Sequence, residues 1–272
     1  MRRLLQNWLL SIYRLVFARG LLRFSWGRRM FFALYDLYKT WLEAGEIDGL
    51  RRWVPSGGVV IDVGANVGFF TLRFAGWVGA EGQIVAIEPE ERNHVELLRR
   101  LVRRGFAERV VVYRAVADRT AGEVKLEVNP DHPGDHKIGN AGIAIPAVTV
   151  DDLRSAAGRP VALIKIDVQG AEMRVLEGAT AVLASDHPAL FVEVDAGALS
   201  HFGTSMADLL SFLAEFGYSP HQLTHRGPEP MAIPLLEELI RRDGYTDLLF
   251  LSGGAMARKY ASSEAARVEP SA

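Results

Sequence analysis

The chain has 272 residues, 49% of them hydrophobic and 24% charged, with a formal net charge of −2. That length suits one domain of roughly 200 residues with appendages, and the composition supports a packed core and excludes wholesale disorder. The charge argues against a general nucleic-acid binder, which is basic as a rule; the absence of cysteine excludes disulfide scaffolds, iron–sulfur clusters and thiol catalysis, and fits a reducing, cytoplasmic compartment.

Residues 1–30 carry seven arginines (Arg2, Arg3, Arg14, Arg19, Arg23, Arg28 and Arg29) and no acid. Leu4, Leu5, Trp8, Leu9, Leu10, Ile12, Tyr13, Leu15, Val16 and Phe17 lie between them. The uncharged run from Leu4 to Tyr13 is half the roughly 20 residues a spanning helix needs, and no small-residue cleavage site follows it. The pattern predicts a basic amphipathic helix. It lies in a membrane interface, arginines on anionic headgroups, or it packs on its own domain or on a second copy of the chain. Leu34, Leu37, Tyr38, Trp41 and Leu42 predict a second helix by their spacing. Pro55-Ser56-Gly57-Gly58 breaks that pattern. The expected organisation is a helical extension over 1–53, a main domain over 54–254 and a fraying tail over 255–272.

From Val59 strands and helices alternate. Predicted strands are 59–63, 83–87, 110–113, 161–166 and 189–194, with two late ones near 218–223 and 246–251. Predicted helices run over 66–78, 89–104, 171–183 and from a capping-box-like Ser205-Met206-Ala207-Asp208 to Gly217. Continuous apolar strands alternating with helices mean a mainly parallel sheet covered on both faces. Segments 122–128 and 143–150 read as an antiparallel insertion. The turn-rich loop between them, 129–140, is long enough to suggest function.

The sharpest signal is Asp62-Val63-Gly64-Ala65-Asn66-Val67-Gly68, which follows a strand and opens a helix. Glycines there let a ligand approach the backbone, and a helix N-terminus favours an anionic group. Glu88 ends the next strand, where a carboxylate takes the ribose hydroxyls of an adenosine. The dinucleotide fingerprint needs glycines at 66 and 69, but Asn66 and Phe69 stand there. Asp62 is placed to meet a cationic amino group, so a zwitterionic amino-acid moiety, and with it S-adenosylmethionine, fits better than a pyrophosphate.

The runs VVIDVGANVGFFTLRFA, IVAIEPE, AVTVDDL, LIKIDVQGAEMRVLEGA and LFVEVD, in that order over roughly 55–252, resemble the FkbM-type S-adenosylmethionine-dependent methyltransferases. The resemblance implies an α/β fold with a Rossmann-like seven-stranded sheet whose last strand is antiparallel, and O-methylation as the chemistry. It implies that Asp62, Gly64, Asn66 and Gly68 line the methionine side of the cofactor and Glu88 the ribose, with Ala115, Val116 and Asp118 near the adenine. Ala65, Phe69 and Pro89 adjoin these positions and complete the cofactor-binding candidates.

Ligands of parallel sheets bind beyond the C-terminal strand ends, where Asp167, Glu172 and Glu193 fall. A hydroxyl acceptor has to lose a proton to a carboxylate or His within reach. Asp167 is the first candidate, followed by Glu172, Glu193 and, from the long loop, His136. The bland alternative makes Asp167 a helix cap and Glu172 a first-turn dipole partner. Asp167 with Glu193 suits Mg²⁺ chemically, but two acids are too few ligands. His132 and His136 are separated by Pro133 and Gly134, against a helical zinc pair, so no metal is expected. The expected acceptor is a small molecule, glycan or glycolipid bearing a hydroxyl, with no nucleic-acid partner. The competing readings are an NAD-dependent oxidoreductase and a membrane-associated cofactor-binding protein without activity.

Overall fold

A computed structural model of the chain describes residues 47–127, 137–139, 142–224 and 226–256. Both predicted N-terminal helices, His132 and His136 and most of the tail lie outside them.

Among the described residues the main sheet has eight strands, in the order β11-β10-β12-β9-β8-β1-β2-β3. They are β1 (Val59–Val63), β2 (Gln83–Ile87), β3 (Val110–Tyr113), β8 (Val161–Ile166), β9 (Ala189–Asp195), β10 (Tyr218–Thr224), β11 (Gly227–Pro230) and β12 (Tyr245–Ser252). Strands β9, β8, β1, β2 and β3 pair in parallel. β12 enters antiparallel between β9 and β10. The count corrects the expected seven: β11 is an extra antiparallel strand on the edge of β10. Its Pro228 and Pro230 hid it, because proline is tolerated in sheets mainly at edges.

Helices cover both faces. On one face α1 (Phe69–Trp77) and α2 (Glu91–Arg104) pack Phe69, Phe70, Phe74, Leu97 and Leu101 against Val60, Ile84 and Leu163. A short 3-10 helix, Asp48–Trp53, adds Leu50 and Trp53 to this core. Packing therefore extends N-terminally past the boundary expected at residue 54. Ala255 also belongs to this core, although the fraying tail was expected to begin there. The other face is covered by α3 (Val150–Ala157), α4 (Glu172–Glu177), α5 (Thr180–Ser185), α6 (Ala196–His201), α7 (Met206–Glu215) and α8 (Ile233–Asp243). α7 opens on the predicted capping box, with Ser205 and Asp208 exchanging hydrogen bonds.

The helix predicted over 171–183 is split into α4 and α5 at Gly178. A Cβ on Gly178 would lie 2.2 Å from the Asp118 carbonyl oxygen. The Asp151 carboxylate of α3 accepts from Ala181 and Val182 N, satisfying the new N-terminus of α5. The insertion forms its own small sheet, ordered β4-β7-β5-β6, from Val116–Ala117, Ile143–Val148, Gly122–Glu127 and Lys137–Gly139. β6 replaces part of the irregular loop expected there. The strand expected to reach Val150 ends at Val148, and Thr149 caps α3 by accepting from Asp152 N.

Candidate functional site

The site grows out of the end of β1. Asp62 is fully buried on the α1 face of the sheet, in register with Ala86 and Lys165. Its Oδ2 accepts from Thr71 Oγ1 at 2.5 Å, and its Oδ1 lies 3.6 Å from Lys165 Nζ. Burial pushes its carboxyl above the ordinary range, against the opposing pull of Lys165 and Thr71. Asp62 thus sits beneath the turn and faces Thr71 and Lys165.

The turn itself is held closed by its own backbone. Gly64 and Ala65 N both donate to Ile87 O at 3.0 Å, and Gly68 N donates to Ala65 O. Asn66 N donates to Glu88 Oε2 at 2.8 Å, and Val67 N to Asn66 Oδ1. Asn66 holds a left-handed φ of 49°, a conformation asparagine tolerates better than most residues. The amides of residues 64–68 are therefore all spent inside the protein. Gly68 caps α1, and a Cβ there would meet the Leu97 side chain at 2.5 Å.

Gly64 has a second reason to be glycine. Its φ is 74°, and a Cβ would lie 1.9 Å from the carbonyl oxygen of Asp167. The glycine turn after β1 and the loop after β8 touch at this point. Gly64→Ala should lower stability by about 2–5 kcal/mol, from left-handed strain and overpacking together. Urea denaturation measures this, and a wild-type midpoint would mean that the two loops part freely.

Glu88 ends β2 and is 4% exposed. Its Oε2 accepts from Asn66 N, and its Oε1 from Glu90 N at 2.9 Å and, at 3.4 Å, from Asn93 Nδ2. Burial raises its pKa to about 7, and the hydrogen bonds only partly counter this. A carboxylate has about four lone-pair positions. Three are taken, the longest of them by Asn93. Pro89 beside it is half-buried, whereas Ala65 and Phe69 are buried.

The residues expected near an adenine are all buried. Asp118 is committed to structure: Arg174 of α4 grips it with Nε to Oδ1 at 2.8 Å and Nη2 to Oδ2 at 2.5 Å. Ala115 belongs to the main core and Val116 to that of the small sheet.

On the acceptor side the loop from Asp167 to Gly170 leaves β8. Gln169 adopts φ 55° and Gly170 φ 102°, the latter packed so that a Cβ would lie 2.3 Å from Ala198 O. Glu172, 1% exposed, fastens this loop from below, its Oε1 accepting from Gly170 N at 3.0 Å and Val168 N at 3.3 Å. Burial raises its pKa. Glu172 therefore supports the loop instead of facing a substrate. Gln169 Nε2 donates to Glu193 Oε2 at 3.3 Å, joining the ends of β8 and β9. Asp167 keeps a 31% exposed side chain, so among the catalytic candidates it combines access with proximity to the glycine turn.

The sequence reading missed Lys165. It is 3% exposed, donates to Gly64 O at 2.8 Å and Val63 O at 3.3 Å, and lies 3.4 Å from Asp167 Oδ2. A lone lysine in an otherwise apolar strand was the available signal, since buried charges need partners. Among the described residues, no group of three or more His, Asp or Glu side chains is arranged to hold a metal, and no helix is long and apolar enough to cross a membrane.

At the C-terminal ends of β2 and β8, Glu88 is a buried acceptor beside the glycine turn and Asp167 a partly exposed carboxylate against it. Solved structures similar to this chain include the FkbM methyltransferase of Methylobacillus flagellatus KT, at 21% identity and TM-score 0.48, covering 72% of this chain and 44% of that one. TomG, an O-methyltransferase of Streptomyces achromogenes in complex with S-adenosylmethionine, is 15% identical with TM-score 0.40, covering 77% and 80%. An S-adenosylmethionine-dependent O-methyltransferase of Thermotoga maritima is 13% identical with TM-score 0.44, covering 78% and 65%. This chain spans less than half the length of the Methylobacillus protein. No curated protein matches. Residues 62–220, more than half of the sequence, match the Methyltransferase FkbM domain, and the chain belongs to the FkbM family of S-adenosylmethionine-dependent methyltransferases.

Proposed function

We propose that the chain is an O-methyltransferase that methylates a hydroxyl of a sugar, glycolipid or natural-product scaffold. The observation that carries this reading is Asp167: an accessible carboxylate at the end of β8, its backbone against Gly64 of the cofactor turn. When bound, S-adenosylmethionine supplies a methyl group on a positively charged sulfur. The chain's residues then have two tasks. Glu88 holds the ribose and fixes the cofactor along the strand ends. Asp167 accepts the proton that the acceptor hydroxyl releases as its oxygen bonds to carbon.

The spent amides of residues 64–68 weigh against the oxidoreductase alternative, because a dinucleotide places its pyrophosphate on free backbone amides at this turn. Calorimetry with S-adenosylhomocysteine, S-adenosylmethionine and NAD separates the two. Tight binding of NAD alone overturns the methyltransferase reading. Acceptors are then screened by gain of one methyl in mass. Release of S-adenosylhomocysteine only with a hydroxylated acceptor supports O-methylation, and turnover on an amine or carbon acceptor overturns it. Binding without turnover on any acceptor favours the inactive binding protein.

We also propose peripheral membrane contact through residues 1–30, on the strength of their seven arginines and no acid. Each arginine near an anionic surface is worth about 1 kcal/mol. Binding to anionic vesicles should therefore rise with anionic lipid and fall with salt. Co-sedimentation of the full chain and a chain lacking residues 1–30 checks this. Equal binding by both removes the membrane contact, and a change in oligomer size on truncation favours a second copy of the chain as partner.

A further inference from the structure

The ammonium of Lys165 is buried between the ends of β1 and β8. It stands between two carboxylates, Asp62 at 3.6 Å and Asp167 at 3.4 Å, and hydrogen-bonds the carbonyl oxygens of Gly64 and Val63. Phe70 closes it from the α1 side, with the ring centroid 5.3 Å from Nζ. The geometry follows from register: Asp62 and Lys165 are Cα partners across β1 and β8 and share the α1 face. One buried cation thus touches the backbone of the cofactor turn and the accessible acid of the acceptor loop.

We infer that Lys165 is a positioning residue: its ammonium fixes the Asp167 carboxylate in its ionised form and ties it to the cofactor turn at Gly64. The inference rests on reading Asp167 as the group that faces the acceptor. Removing an adjacent cation disfavours an ionised carboxylate. Among the charged groups acting on Asp167 are Asp62 from β1 and Glu172 from α4, both acids. Lys165 opposes these two, so its loss should expose their repulsion. The turn is affected through the same atom, because Gly64 O loses its donor.

The test uses the full chain without cofactor, so it needs no acceptor. Lys165→Met keeps the side-chain length and its packing on Phe70 while removing the charge. Carboxyl carbon NMR, with the Asp167 signal identified by its absence in Asp167→Asn, follows the titration. The proposal expects the Asp167 midpoint to rise by at least one pH unit in Lys165→Met, a tenfold gain in proton affinity. It also expects S-adenosylhomocysteine to bind at least fivefold more weakly. A folded variant with an unmoved Asp167 titration overturns the proposal and leaves Lys165 a partner of Asp62 alone. Should the unpaired Asp62 prevent folding, the double variant Asp62→Asn, Lys165→Met removes both charges and is read by the same titration. The failure of the Asp167 reading is separate: it shows as wild-type turnover in Asp167→Asn, whatever the titration does.

Discussion

Asp167→Asn is expected to retain S-adenosylhomocysteine affinity and lose turnover by about 10²–10⁴-fold, the usual range for removing a general base. The substitution preserves shape and leaves a hydrogen-bonding side chain beside Lys165, but the amide accepts no proton. Asp167 is suited to the role because it alone of the catalytic candidates in the described residues meets three conditions together. Its side chain is 31% exposed, its carbonyl oxygen packs against Gly64, and a buried ammonium stands at 3.4 Å. Glu172 is sealed beneath the loop, and Glu193 is tied to Gln169. Single-turnover rates with the acceptor found by mass shift give the measurement, and a wild-type rate would reduce Asp167 to a loop residue.

Glu88→Ala is expected to weaken S-adenosylhomocysteine binding by about 1.5–3 kcal/mol, as for a hydrogen bond to a charged group. The pKa of about 7 adds a pH signature. Ribose hydroxyls donate to the ionised carboxylate, so the proton has to leave before the ligand is held. Affinity should therefore fall as pH drops, by about tenfold from pH 8 to pH 6, and the alanine variant should lose this dependence. The sign for the free protein is opposite. Between the ordinary 4.5 and about 7 the unfolded carboxyl has released its proton and the folded one keeps it, so stability declines as pH rises through that window. Calorimetry across pH on wild type and variant checks both. Unchanged affinity in a folded variant would remove the ribose assignment.

The sequence revealed those features that depend on local spacing. Apolar strands of five or six residues, the capping box at Ser205 and the acid ending β2 are readable because each needs only neighbours in the chain. The split of the 171–183 helix was hidden: it depends on Asp118, distant in sequence, pressing its carbonyl against Gly178. Likewise the ion pair of Asp118 with Arg174, 56 residues further on, depends on the fold and leaves no local signal. α8 carried fair signals, with Pro234 in its first turn and Gly244 after its end. The turn after β1 is the instructive case. Packing as well as any ligand calls for its glycines: Gly64 makes room for Asp167 and Gly68 for Leu97.

The extra strand β11 also bears on how this protein behaves when crowded. An open sheet offers unpaired peptide groups at its outer strands, and these recruit foreign strands. Here one border is four residues long, Val110–Tyr113, and the other is Gly227–Pro230, with two prolines in four positions. A proline has no amide hydrogen to offer an incoming chain. β11 therefore finishes the border as a blunt hem, and the His221–Thr224 half of β10 behind it is kept from templating aggregation.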